Sequence, residues 1–425
     1  MFEQRAGRTG VQIITALLLS VSLSGCQLWE LASFQWQNAD AQVGWTAPSS
    51  QQPLREGLPF TLYNNHIIVQ ARVNGSAPLN FVLDSGAAAT VLLETDATDA
   101  LALPRTQTLT ISGAGDDGDP VAYVVPDTRI DAGPLFIRNM AVIYAPQEAM
   151  PFGSRDETYF DGVLGADFFN CCVVEINHDE QRVYLQPRGA ETLQRYQQAG
   201  WQKLDMEVEG DTPYLTTSVD DGSGTKTVKV MLDTGSTGTL TLFAGQGGQI
   251  SVPPNTYAAR SSGISGDSQN QVGWLPRLHI GEQQFDSLPI YFRTSGSNPQ
   301  SGSDGVLGNR VLKRFNQVFD FSAATLWLQP TGMLQTPATA DRSGLRLLPH
   351  RQGAIVKDIA ASASEEARGI PLDSVVTHID DKRVTRDTFD PLLSRLRDTA
   401  RDAVKLCWSA ATEQRCARVP LFDRI

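Results

Sequence analysis

The sequence predicts a mostly β chain of two repeated lobes followed by a third, α+β domain, and three observations carry that prediction. Apolar and polar residues alternate along many short runs broken by glycine, as in Phe136-Ile137-Arg138-Asn139-Met140-Ala141-Val142-Ile143. A set of strings in the first half of the chain recurs in the same order in the second. After a polar stretch at 331–343 the pattern changes. With 425 residues, 41% of them hydrophobic, there is apolar material for two or three cores.

Residues 1–25 read as an export signal, in which Arg5 and Arg8 precede an apolar run from Val11 to Leu19 that is too short to span a bilayer comfortably. The string Leu23-Ser24-Gly25-Cys26 resembles the bacterial lipoprotein box, which makes Cys26 the expected lipid-bearing N-terminus of the mature chain. An ordinary secretory signal is the alternative. With Gln27 after the cysteine, the sorting behaviour of such lipoproteins implies the outer membrane, facing the periplasm. Residues 26–56 read as a linker, and the lipid is the expected membrane contact. The formal net charge is -12, and removing Glu3, Arg5 and Arg8 (net +1) with the signal leaves -13. That balance disfavours nucleic acid and anionic lipid as partners.

Lobe 1 is assigned to residues 57–187 and lobe 2 to 200–330, with a helical linker at 188–199 between them. Phe81-Val82-Leu83-Asp84-Ser85-Gly86-Ala87 recurs as Val230-Met231-Leu232-Asp233-Thr234-Gly235-Ser236, 149 positions on (233 less 84). Asp161-Gly162-Val163-Leu164-Gly165 recurs as Asp304-Gly305-Val306-Leu307-Gly308. Cys172 to Ile176 is echoed by Gln317 to Phe321, and Val183 to Pro187 by Leu326 to Pro330. Each Asp string delivers one carboxylate from an apolar strand into a turn of small residues. A hydroxyl neighbour, Ser85 or Thr234, can orient the carboxylate, and Gly86 or Gly235 lets backbone amides approach it. One such turn is an ordinary β-turn cap. Two of them, each on a duplicated unit, point to a paired acid/base site in which one carboxyl keeps a proton and the other stays charged.

On these strings the chain resembles the pepsin/retropepsin superfamily of aspartic proteases, and more closely bacterial retropepsin-like proteins, over 57–187 and 200–330. The resemblance implies two small β-barrel lobes and an aspartic endopeptidase in which Asp84 and Asp233 activate water. It implies that Ser85 and Thr234 brace the turns across the lobe interface, and that Val163-Leu164-Gly165 and Val306-Leu307-Gly308 pack behind them. It also puts the family's flaps at Gly113 to Gly115 and Gly263 to Gly266, leaving open which one closes over substrate. A tandem repeat can build one pseudo-symmetric site within one chain, so a bilobal monomer is expected; pairing of like lobes between chains is the alternative.

Residues 344–425 resemble a PDZ domain, through Gly353-Ala354-Ile355-Val356-Lys357-Asp358-Ile359, a short helical stretch from Ala361 to Gly369, and Val375 to Ile379 before Asp380-Asp381. The resemblance implies a carboxylate loop over His350 to Ala354 and a peptide-receiving strand edge at Ile355-Val356, with Asp390 to Leu396 as the groove helix. A module that only packs on the lobes is the alternative. Near the C-terminus, a hairpin turning at Ala411-Thr412 would set Cys407 opposite Cys416, which makes them a candidate disulfide. Cys171 and Cys172 read as free thiols on opposite faces of a strand.

No cofactor is expected. Gly113-Ala114-Gly115-Asp116-Asp117-Gly118 satisfies a dinucleotide-binding pattern formally, but carries two acids where a pyrophosphate would sit. The five histidines do not fall in metal-ligand spacing with cysteines, and Asp116, Asp117 and Asp119 lack the spacing of a calcium loop. The expected partners are a peptide or protein substrate and a C-terminal peptide ligand for the last domain. The competing function is a non-catalytic peptide-binding scaffold that keeps the same fold.

Overall fold

The computed structural model describes residues 34, 37–46, 56–245, 248–294, 302–410 and 413–425. The export signal and Cys26 lie outside the described residues. Among those described, no helix is long and apolar enough to cross a membrane.

The molecule is mostly β, and the repeat seen in the sequence is a repeat of topology. In lobe 1 the strand Leu79–Leu83 pairs in parallel with Gly162–Leu164, with Leu83 beside Leu164. In lobe 2 Thr225–Asp233 pairs in parallel with Gly305–Gly308, with Leu232 beside Leu307. Each of these Val-Leu strands is flanked on its other edge by an antiparallel partner, Val91–Leu93 in lobe 1 and Leu240–Phe243 in lobe 2. Alternation makes one face of each strand apolar, and Phe81, Leu83, Val230 and Leu232 bury it in a core that runs continuously through both lobes.

The lobes are joined by their own repeated strands. Val173–Asn177 of lobe 1 pairs antiparallel with Phe315–Asp320 of lobe 2, with Val174 opposite Phe319. Arg182–Gln186 and Thr325–Pro330 extend this shared sheet on either side, so the lobes are welded by backbone hydrogen bonds. The helix Ala190–Gln198 connects them, with Tyr196 packing against Trp201 and Trp327.

Residues 344–425 form a separate antiparallel sheet in the order Leu345–His350, Gly353–Ile359, Val375–Ile379, Ala403–Ala410, Glu413–Pro420. The helix Phe389–Leu393 packs its buried Phe389, Leu392 and Leu393 into the same cluster as Tyr63, Ile68, Val82 and Phe160 of lobe 1. The module therefore lies directly behind the strand that carries Asp84. Cys407 stands opposite Cys416 in the last hairpin, and the two are disulfide-bonded.

Three sequence expectations are corrected. The segment 26–56 is not all linker, because Gln42–Trp45 is a strand on the edge of Leu135–Ala145. Cys171 and Cys172 precede the strand rather than sit on it. Cys171 caps the helix Ala166–Asn170, and the two sulfurs lie on the same side, 2.8 Å apart, both near the Phe168 carbonyl. Ile355-Val356 is no open edge: Gly353–Ile359 is paired along one side with Leu345–His350, while Ala354 and Ile355 pair with Val376 and Val375 on the other. Leu345–His350 is the outer strand there.

Candidate active site

The two Asp turns are fixed first by their own lobes. A Cβ on Gly165 would sit 2.3 Å from the Ala89 carbonyl oxygen, and one on Gly308 2.5 Å from that of Gly238. Only glycine lets these chains pass so closely. The amides that follow, Ala166 and Asn309, then donate to the carbonyls of Ala87 and Ser236, each at 2.8 Å.

The turns are then fixed to each other. The Ser85 hydroxyl donates to the Leu232 carbonyl at 2.7 Å and accepts from the Thr234 amide at 3.1 Å. Reciprocally, the Thr234 hydroxyl donates to the Leu83 carbonyl at 2.8 Å and accepts from the Ser85 amide at 3.0 Å. Both side chains are fully buried, so every one of these polar groups is satisfied only by the other lobe. This crossing holds the Asp84 and Asp233 carboxyls against one another with a hydrogen bond between them. A Cβ added to Gly235 would meet Asp84 Oδ2 at 2.2 Å, and one on Gly86 would meet the Asp233 Cγ at 2.9 Å.

The pair is not symmetric. Asp84 Oδ1 accepts from the amides of Gly86 at 2.8 Å and Ala87 at 3.1 Å. Asp233 Oδ1 accepts from the Ser236 amide at 2.8 Å. Burial raises both carboxyls, but the charge of Asp84 pushes Asp233 well above the ordinary range, while the hydrogen bonds around Asp84 pull it back down. Two buried carboxyls this close hold one proton between them, and the second amide on Asp84 Oδ1 favours the charge there.

The two loops expected to be flaps join each other. The hairpin of Tyr257–Gly263 and Gly266–Ile280 brings its tip to the loop at 112–120. Ser265 N donates to the Ala114 carbonyl at 2.9 Å, Asp117 N to Ser265 O at 2.8 Å, and Asp116 N to Asp267 O at 3.0 Å. The Ser265 hydroxyl accepts from Gly113 N and donates to Asp119. Arg293 bonds Asp116 and the Gly115 carbonyl. Gly113, Gly115, Gly263 and Gly266 thus meet at one place. Beside the tips, toward the C-terminal module, is a cavity of about 220 Å³ lined in part by Asp117, Phe152, Asp267, Arg346 and Lys357; neither Asp84 nor Asp233 lines it. Gly353 to Val356 lie in the module's sheet, away from the Asp pair's hydrogen bonds.

Sequence reading missed His66, which reaches across from lobe 1 to place Nε2 2.7 Å from the Gly235 carbonyl oxygen. It also missed Tyr159 on the other side of that ring and Ser265 at the flap junction. The hairpin signal Asn64-Asn65 was present in the sequence, but nothing local says what a residue after it touches. Among the described residues no group of three His, Cys, Asp or Glu side chains could hold a metal ion.

A family model described as Aspartyl protease matches residues 69–168, a span that contains Asp84 and Val163-Leu164-Gly165. Among solved structures, the aspartic proteinase from Irpex lacteus matches with 13% identity over 70% of this chain and 99% of that chain, at a TM-score of 0.38. No curated protein matches. The matched stretch 69–168 of lobe 1 is thus similar to aspartyl proteases, and lobe 2 repeats its topology around Asp233.

Proposed function

We propose that this chain is an aspartic endopeptidase, and the observation that carries the reading is the hydrogen-bonded Asp84–Asp233 pair at the crossing of two repeated turns. Asp84, charged, takes a proton from a water molecule as its oxygen attacks the scissile carbonyl carbon. Asp233 gives its proton to the carbonyl oxygen, and the tetrahedral diol forms. The proton gained by Asp84 then passes to the amide nitrogen, the C–N bond breaks, and Asp233 recovers its proton as the carboxylic acid product forms. The substrate proposed is an extended, unfolded segment, with the joined loops at 112–120 and 263–267 as the flaps that would cover it. One chain supplies both carboxyls, so the reading requires no dimer. The test is digestion of a reduced and alkylated protein, with fragments read by mass spectrometry. Asp84→Asn and Asp233→Asn should each abolish cleavage, and wild-type rates in both would overturn the reading.

The same proposal places the enzyme on the bacterial envelope through a lipid on Cys26, supported by Leu23-Ser24-Gly25-Cys26. Metabolic labelling with palmitate should mark the wild type and not Cys26→Ser. It also gives the C-terminal module a PDZ-like role in capturing peptide ends, supported by the outer strand Leu345–His350, which is paired on one side only among the described residues. Peptides with a free C-terminal carboxylate should bind the full chain, and amidated versions should not.

A further inference from the structure

The hairpin that joins Leu58–Tyr63 to His66–Val73 turns on Asn64 and Asn65, whose φ values of 51 and 63° are those of a tight two-residue turn. Its tip stands where three bodies meet. Toward lobe 2, Asn65 accepts from the Asn309 side chain at 2.6 Å and from Lys313 Nζ at 2.5 Å, and His66 holds the Gly235 carbonyl. Toward the C-terminal module, the Asn64 amide donates to Asp390 Oδ2 at 2.7 Å, and Tyr63 packs edge-on against Phe389.

The direction of the bonds at His66 is decided by chemistry. A carbonyl oxygen only accepts, so Nε2 carries the proton and Nδ1 must accept from the Tyr159 hydroxyl, 2.6 Å away. Tyr159 in turn accepts from the Asn64 side-chain amide at 3.3 Å. One order satisfies every group: Asn64 donates to Tyr159, Tyr159 to His66, and His66 to Gly235.

What the last bond grips matters for catalysis. The Gly235 carbonyl belongs to the same planar peptide as the Ser236 amide, and that amide is the donor to Asp233 Oδ1. Fixing one end of the plane aims the other. In lobe 1 the corresponding plane joins Gly86 to Ala87, and among the described residues no hydrogen bond falls on the Gly86 carbonyl. The corresponding hairpin of lobe 2 turns on Gly210-Asp211 and places Thr212 where lobe 1 has His66.

Resting on the peptidase reading, we propose that His66 is a positioning residue that orients the Gly235–Ser236 peptide toward Asp233, and that Asp390 of the C-terminal module holds the hairpin tip in place for it. Docking of the module is thereby coupled to the competence of the active site. Burial lowers the His66 pKa to about 4, which keeps the ring neutral through the mildly acidic range. The charged groups around the tip are Asp390, Arg386, Lys313 and Arg310, and Tyr63 and Tyr159 face it as un-ionised phenols.

The experiment uses the full chain and the variants His66→Phe, His66→Gln and Asp390→Ala. Loss of the Ser236 bond withdraws support from charged Asp233, so the upper apparent pKa of the pair rises. In His66→Phe, kcat should fall by about tenfold or more with KM changed less than about twofold, and the basic limb of the pH profile should move upward. His66→Gln, whose amide donates and accepts at similar reach, should restore most of the rate, and Asp390→Ala should show a weaker form of the same shift. Independently of turnover, hydrogen exchange at the Ser236 amide should quicken in His66→Phe and Asp390→Ala, and nitrogen NMR should find His66 protonated at Nε2 alone at pH 6. If the wild type cleaves nothing while these two readouts hold, the peptidase reading fails and the positioning chain stands. Unchanged Ser236 exchange in His66→Phe overturns the role of His66. Unchanged exchange in Asp390→Ala overturns the coupling to the module.

Discussion

The two Asp turns come from one repeated sequence pattern and have different surroundings. The first has two amides of its own turn on Asp84 Oδ1, and the strand leading to it is backed by Val82 against the C-terminal module. The second accepts the Ser236 amide on Asp233 Oδ1 and is steadied from outside, by His66 on Gly235 and by Arg310 on the Thr237 carbonyl at 3.2 Å. Two adjacent carboxyls share one proton through their mutual repulsion alone, and such inequality biases which of them holds it. If both carboxyls were supported equally, neither would be the better home for the single proton.

The strongest way to break this comparison is to remove each carboxylate charge. Asp84→Asn and Asp233→Asn should each cost on the order of a thousandfold or more in kcat/KM, because the two groups work as one unit. Thermal melts should then separate them. Both carboxyls are raised in the fold, so their contribution to stability is present at low pH and is lost as pH rises through the folded values. Asp233, raised the more, should gain from neutralisation: Asp233→Asn is expected to melt higher than Asp84→Asn at pH 7, and the reverse order would sink the proton assignment.

Acid should attack the outside support of the second turn. His66 is lowered to about 4 and His178, buried at the inter-lobe sheet, to about 3, both by burial. Each contributes stability that is full above the unfolded value near 6.5 and is lost as pH falls toward the folded value. From His66 alone the loss should reach about 3 kcal/mol by pH 4. Urea titrations from pH 7 to 4 should show it, and His66→Gln should flatten the dependence.

The crossing of the two turns sharpens the comparison in the other direction, because there the lobes are equal. Ser85→Ala and Thr234→Ala each strand a buried carbonyl and a buried amide, and should cost similar amounts, about 1–3 kcal/mol each. Chemical denaturation that found one of them silent would break the reciprocity. The smallest effect is expected at the flaps: Ser265→Ala removes the hydroxyl that ties Gly113 to Asp119 but leaves the backbone bonds between the tips, so KM should move by no more than about threefold.

How much of this was legible in the sequence depends on distance along the chain. Strand periodicity, the repeated Asp and Val-Leu-Gly strings and the glycines at 165 and 308 are local patterns, whereas the parallel pairings of Leu83 with Leu164 and Leu232 with Leu307 join strands far apart in the chain and came only with the structure. Cys407 and Cys416 were legible for the same reason, since a hairpin register is set by its turn. The outer position of Leu345–His350 was not legible, because an apolar strand reads alike at an edge and inside a sheet. The neighbouring sulfurs of Cys171 and Cys172 were missed because a short helix ends there instead of a strand continuing.

By itself the sequence determined that two carboxylates would be presented on matching turns, because strand, hydroxyl and glycine are requirements met within a few residues. Tertiary structure alone decided how unequally the two carboxyls are supported and what steadies each. His66 and Gly235 are 169 residues apart, and Asn64 and Asp390 326 apart. Contacts of that range leave no period in a sequence; they exist only once the strands have packed and the lobes have met.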